Sequence, residues 1–159
     1  MLEKNRIEVK WGIVFTLAML VWMLLERFSG LHSTHIAYHP LLTNIFAIVA
    51  IAIYVLALRE KREQHFAGKM NWTQGFVTGL YLTMVIAILS PFAQVLIHFV
   101  ITPEFFTNAA THAVEAGAMS VEEAVAYFNF RSYVVQAFIG AIILGIVTSA
   151  VVATFVRRA

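Results

Sequence analysis

The sequence has 159 residues, no cysteine, a formal net charge of +2, 60% hydrophobic residues and only 13% charged ones. Soluble domains carry about 45–50% apolar and about 25% charged residues, so this is the composition of an integral membrane protein of one domain. Disulfides, thiolate metal sites and cysteine nucleophiles are excluded. The basic residues flank apolar segments rather than forming a stripe, which leaves no surface for nucleic acid.

The first apolar segment spans about Glu8 to Phe28 and is bounded by Gly30. Lys4, Arg6 and Lys10 precede its apolar run Trp11–Leu25 as in a signal peptide, but Glu3 and Glu8 dilute that charge. No Ala-x-Ala-like site follows Glu26-Arg27-Phe28-Ser29-Gly30, so a retained helix is expected. Trp11 and Trp22, near its ends, suit the headgroup regions. Glu26 and Arg27 are expected as a solvated helix end, with Arg27 snorkelling. A loop bearing His32, His35 and His39 then reaches Pro40, a residue suited to the first turn of a helix. The second segment is expected from about Leu41 to Leu58, continuing into water through Arg59-Glu60-Lys61-Arg62-Glu63-Gln64 until Gly68.

The third segment, Trp72 to Ile101, holds no Asp, Glu, Lys or Arg and as a helix would run about 45 Å at 1.5 Å per residue, beyond the roughly 30 Å hydrocarbon core. Asn71 with Gln74 forms a capping-box pattern at its start. Pro91 removes the hydrogen bond to the Ala87 carbonyl, which Ser90 is placed to satisfy. Residues 103–131 hold four of the nine acidic residues. Their spacing predicts two short amphipathic helices separated by Gly117, the second opened by the capping box Ser120–Glu123, lying on the membrane or capping the bundle. The fourth segment runs from about Ser132 to Val156 and is followed by Arg157-Arg158.

The expected fold is therefore all-α: four transmembrane helices in one domain, with a short helical extracytoplasmic segment between the third and fourth. Three Lys and Arg precede the first helix, four lie in 59–71 and two follow the fourth, against only Arg27 and Arg131 on the other side. By the positive-inside rule both termini are cytoplasmic, in a multi-pass protein of the bacterial inner membrane.

Gly68, Asn71, Trp72, Phe76 and Gly79 resemble a signature of a bacterial membrane-protein family of unassigned function, domain of unknown function 4199. There a glycine and a polar residue before an aromatic lead into Phe-x-x-Gly at the start of the third of four helices. Pro103-Glu104-Phe105-Phe106, the Gly117-to-Glu123 segment and Arg157-Arg158 continue the likeness in the same order. It covers residues 68–158 best. Trp72 stands where the family has Phe, and the three-histidine loop is not part of its pattern. The resemblance implies a four-helix membrane fold and carries over no activity, catalytic residue or cofactor.

Two stripes of small residues recur at intervals of four, Gly75, Gly79, Thr83 and Ala87 on the third helix and Ala137, Ala141, Gly145, Ser149 and Ala153 on the fourth. Such stripes let backbones approach closely; mutual packing is the simpler reading, homodimerisation the other. Ser90, Gln94 and His98 form a polar face, with Tyr133 and Gln136 at the matching level of the fourth helix. This set is the candidate polar pocket for a headgroup or small solute; the plainer reading is a set of packed hydrogen-bonding residues. His32, His35 and His39 are residue types that bind zinc, copper or nickel. Pro40 disfavours a helical His39 and no CxxC or HExxH supports the reading, so no metal and no cofactor is assigned. The segments show no carboxylate pair, Ser/His/Asp set or phosphate loop, and no enzyme activity is expected. The expected role is a non-enzymatic component that binds lipid, a membrane-protein partner or its own copy; a small oligomeric carrier or channel using the polar face is the alternative.

Overall fold

Backbone groups in hydrocarbon must be bonded within the segment, and the computed structural model, which describes residues 5–158, meets that demand with helices. Glu3 and Lys4 of the charge reading lie outside the described residues. Six helices follow in order: α1 (Arg6–Phe28), α2 (Phe46–His65), α3 (Trp72–Leu96), α4 (Phe105–Glu115), α5 (Val121–Tyr127) and α6 (Phe130–Val156). Four helical stretches, Arg6–Phe28, Ile36–His65, Trp72–Ile101 and Phe130–Val156, are long and apolar enough to cross a membrane. Their outer faces expose Ile48, Phe92, Leu144 and Phe155, a distribution suited to lipid rather than water.

The most extensive pairing joins α3 and α6, which run antiparallel. A Cβ built on Gly79 would lie 2.4 Å from Ser149 Oγ, and one on Gly145 would lie 2.4 Å from Thr83 Cγ2. One step further along, Gly75 faces Ala153, 3.2 Å from a Cβ at that position. The two small-residue stripes thus meet each other at these three successive positions. Hydroxyls in this seam stay satisfied: Thr83 donates to the Gly79 carbonyl at 2.9 Å and Ser149 to the Gly145 carbonyl at 2.6 Å. Tyr54 of α2 reaches Thr83 Oγ1 at 2.8 Å. Leu58, Met70, Leu82, Ile86, Val152 and Val156 complete the core here, with Ala141 packed at its margin.

Both expected capping boxes are present, at Asn71–Gln74 and Ser120–Glu123. α3 continues through Pro91, and Ser90 Oγ donates to the Ala87 carbonyl at 2.9 Å. The second span departs from expectation. Regular α-helix begins only at Phe46, after 3-10 turns at Ile36–Tyr38 and Thr43–Ile45 and one α-turn at His39–Leu42. Asn44 Nδ2 donates to the Pro40 carbonyl at 2.6 Å, a local bond that competes with regular helix.

The two ends of the bundle differ. At one, Met70 and Arg158 form an isolated bridge and the Arg62 guanidinium donates to the Val156 carbonyl at 2.8 Å. Lys61, expected in water, is buried there with its Nζ 2.8 Å from the buried Glu8 carboxylate, because α1 presents Glu8 at the same level. Lys10 pairs with Glu60, which also accepts from Trp11 Nε1 at 2.8 Å. The opposite end carries the histidine loop and is capped by α4, whose Phe105 and Ala109 are buried.

Candidate functional site

At the histidine end, the last turn of α1 supplies Glu26. The chain then reverses: Leu31 N donates to the Glu26 carbonyl at 2.9 Å and His35 N to the Gly30 carbonyl at 2.8 Å. Gly30 has φ +79°, a left-handed conformation that favours glycine, and a Cβ there would meet Thr34 Oγ1 at 2.6 Å. This tight return folds the loop over Glu26, which is 2% exposed. The expected solvated helix end is therefore corrected for Glu26. Only Arg27 stays exposed, its Nη1 3.5 Å from the Val100 carbonyl.

One oxygen of Glu26, Oε1, accepts from Trp22 Nε1 at 2.5 Å. Trp22 thus spends its N–H on a carboxylate one turn away rather than on headgroups. The other oxygen, Oε2, lies 3.0 Å from His32 Nε2 and 3.5 Å from His39 Nε2. His39 adopts φ −54° and ψ −47°, so Pro40 does not keep it from the helical region; the steric preference before proline is a bias only. His35 takes no part and sits exposed, its Nδ1 2.9 Å from the Ser29 carbonyl. Two of the three loop histidines meet, and their companion is the buried Glu26 rather than a solvated helix end.

α4 holds this arrangement from above. Asn108 Nδ2 donates to the His32 carbonyl at 2.9 Å. The Phe105 ring lies 5.1 Å from both the His32 and His39 rings, centroid to centroid. Below, α3 ends in a π-helical turn, Ile97–Ile101, closed by Thr102 N donating to the Ile97 carbonyl at 2.7 Å. π-turns of this kind recur at functional sites. His98, within the turn, is buried and stacked on Phe106 at 4.1 Å, with Tyr133 edge-on at 5.5 Å.

These groups line a partly open cavity of about 160 Å³ whose lining includes His32, His39, Thr43, Gln94, His98 and Tyr133. His32 Nδ1, Gln94 Oε1 and His98 Nδ1 are buried without a hydrogen-bond partner among the described residues. The space is wide enough and polar enough for several waters. Of the five residues in the candidate polar pocket, Gln94, His98 and Tyr133 line the cavity. Ser90 is bound to the Ala87 carbonyl, and Gln136 lies on the exposed side of α6, donating to Ser132 Oγ at 2.8 Å. His98 is packed against rings rather than bonded to Gln94, Tyr133 or Gln136.

The signal missed in the sequence is Trp22-x-x-x-Glu26: one helical turn separates a ring N–H from an acid at a membrane-helix end. An acid in that position is a functional candidate by default.

A family model described as a protein of unknown function (DUF4199) matches residues 10–158. No curated protein and no solved structure matches the chain.

Proposed function

The chain belongs to the DUF4199 family of proteins of unknown function, and on that premise we propose that it is a non-enzymatic membrane component that binds lipid through its end hairpin. The placement proposed with it is the bacterial inner membrane, both termini cytoplasmic, with α4 and α5 outside. One observation carries the lipid reading. α4 and α5 leave between them an open groove of about 490 Å³, lined by Phe106, Ala110, Val114, Val121, Val125 and Phe128 among others. Val121 and Val125 are 63% and 64% exposed. An apolar strip on a short amphipathic helix beside the bilayer suits an acyl chain at the headgroup boundary.

The test is native mass spectrometry of the full chain in mild detergent. The expected result is a retained phospholipid on the native protein and its loss in Val125→Glu, with the melting temperature unchanged. A stoichiometric protein in place of lipid would move the assignment to a partner-binding component.

A small carrier working as an oligomer is the second reading, and the cavity at His98 and Gln94 is what favours it. Against it stands the seam of α3 and α6, where Gly79 meets Ser149 and Thr83 meets Gly145 without a gap. Solute flux in liposomes would reverse the ranking.

A further inference from the structure

We propose that Glu26, His32 and His39 form a binding site for a divalent first-row transition ion of the zinc type, independent of the lipid groove. The donor set is two imidazoles and one carboxylate, a combination that zinc accepts with a fourth position left open. The three ligand atoms lie within 4.8 Å of one another. Zinc bonds of about 2.0–2.1 Å in a tetrahedral arrangement set neighbouring donor atoms about 3.3 Å apart. The two distances from Glu26 Oε2, 3.0 Å to His32 and 3.5 Å to His39, bracket that spacing.

The surroundings fit a site rather than a chance meeting of side chains. The glutamate oxygen turned away from the histidines is held by Trp22, the kind of outer contact that orients a metal-ligating carboxylate. Asn108 and Phe105 fix the histidine loop from α4. Glu26 and His32 are buried while the His39 side chain is 21% exposed, so an ion can arrive past His39. The cavity adjoins the cluster, because His32 and His39 line both. Thr43, Gln94 and His98 on its wall provide polar neighbours for a water or small anion in the fourth position.

The competing account is a carboxylate receiving two imidazole N–H groups with no ion involved. Purified full-length chain in detergent, stripped with a chelator, separates the two when titrated with Zn²⁺ alone. The expected result is one saturable site by calorimetry and a zinc-dependent rise in melting temperature. His39→Ala, the least buried ligand, should weaken binding by at least about tenfold and abolish the thermal shift. His35→Ala should change neither. Absence of saturable binding overturns the proposal, as does equal weakening by His35→Ala, or a thermal shift in His39→Ala equal to that of the native chain. Should His39→Ala fail to fold, Co²⁺ on the native chain decides. Tetrahedral d–d absorption displaced by one equivalent of Zn²⁺ supports the site, and its absence refutes it. Lipid retention is read separately on Val125→Glu, so failure of one assignment is distinguishable from failure of the other.

Discussion

Single side chains carry unequal weight in this bundle. Gly145 and Leu144 are neighbours in sequence, yet the first faces Thr83 at sub-van-der-Waals distance for any Cβ while the second is 68% exposed toward lipid. Gly145→Leu should therefore force α3 and α6 apart, costing about 1–3 kcal/mol or more, whereas Leu144→Ala should stay within about 0.5 kcal/mol. Detergent melting of the two variants checks this, and equal melting temperatures would remove the seam as the reason. Tyr54→Phe deletes one interhelical hydrogen bond, to Thr83, and should cost about 0.6–2 kcal/mol in the same assay. Lys61→Ala differs in kind. It leaves the Glu8 carboxylate, buried at the bundle end, without its cation, a change that typically costs about 3–5 kcal/mol and should show as the lowest melting temperature of the set.

At the scale of elements, α5 is a short helix that depends on its cap. Ser120 Oγ accepts from Glu123 N at 3.2 Å, and the Glu123 carboxylate accepts from Ser120 N at 2.8 Å. That backbone bond, helped by the serine side chain, lowers the Glu123 pKa below its ordinary value of 4.5. A depressed carboxylate pKa stabilises the folded helix above the unfolded value and loses that effect as pH falls through the folded one. Protection of the α5 amides, taken as exchange relative to an unstructured chain at the same pH, should accordingly fall below about pH 4.5, and Glu123→Gln should flatten the dependence. Unchanged acid sensitivity in that variant would place the cause elsewhere. Periodicity and capping patterns made the existence of each element legible in the sequence. The start of α2 was not legible, because Asn44 binds back to Pro40 in place of regular helix and the turns before Phe46 follow a loop that α4 holds at His32. Nor was the fate of Glu26. Trp22 one turn away was the local hint, but the burial of Glu26 follows from the Gly30 turn that folds His32 and His39 over it, and that loop is held by Asn108 and Phe105 far along the chain.

For the whole molecule, the two ends of the bundle invite a direct topological test. The end holding Lys10, Lys61, Arg62 and Arg158 should face the cytoplasm, and the end holding Glu26, His32 and α4 should face outward. Since the chain has no cysteine, a single cysteine at Ala116, an exposed residue just after α4, can be labelled without background. Labelling of intact cells by an impermeant maleimide is expected; labelling only after the cytoplasm is opened would invert the orientation. The four spans and the facing of the two stripes are what simple spacing conveys best, since a repeat of four marks one side of a helix. The histidine cluster needs three dimensions. His32 and His39 converge because the loop wraps around a carboxylate, not because their spacing shares a helical face.

The seam between α3 and α6 also bears on how the protein is made. Its partners, from Gly75 with Ala153 to Thr83 with Gly145, are distant in sequence, and α3 is synthesised before α6. Until α6 is made, the small-residue groove of α3 lacks its main partner, with Tyr54 of α2 reaching only Thr83, and Met70 lacks the strand-like contact it makes with Arg158. A chain in which α6 has not yet docked would be a partly assembled bundle whose most closely packed surface is still open. That interval is when membrane quality control would recognise a stalled or truncated chain, and when a neighbouring nascent copy could insert the wrong α6.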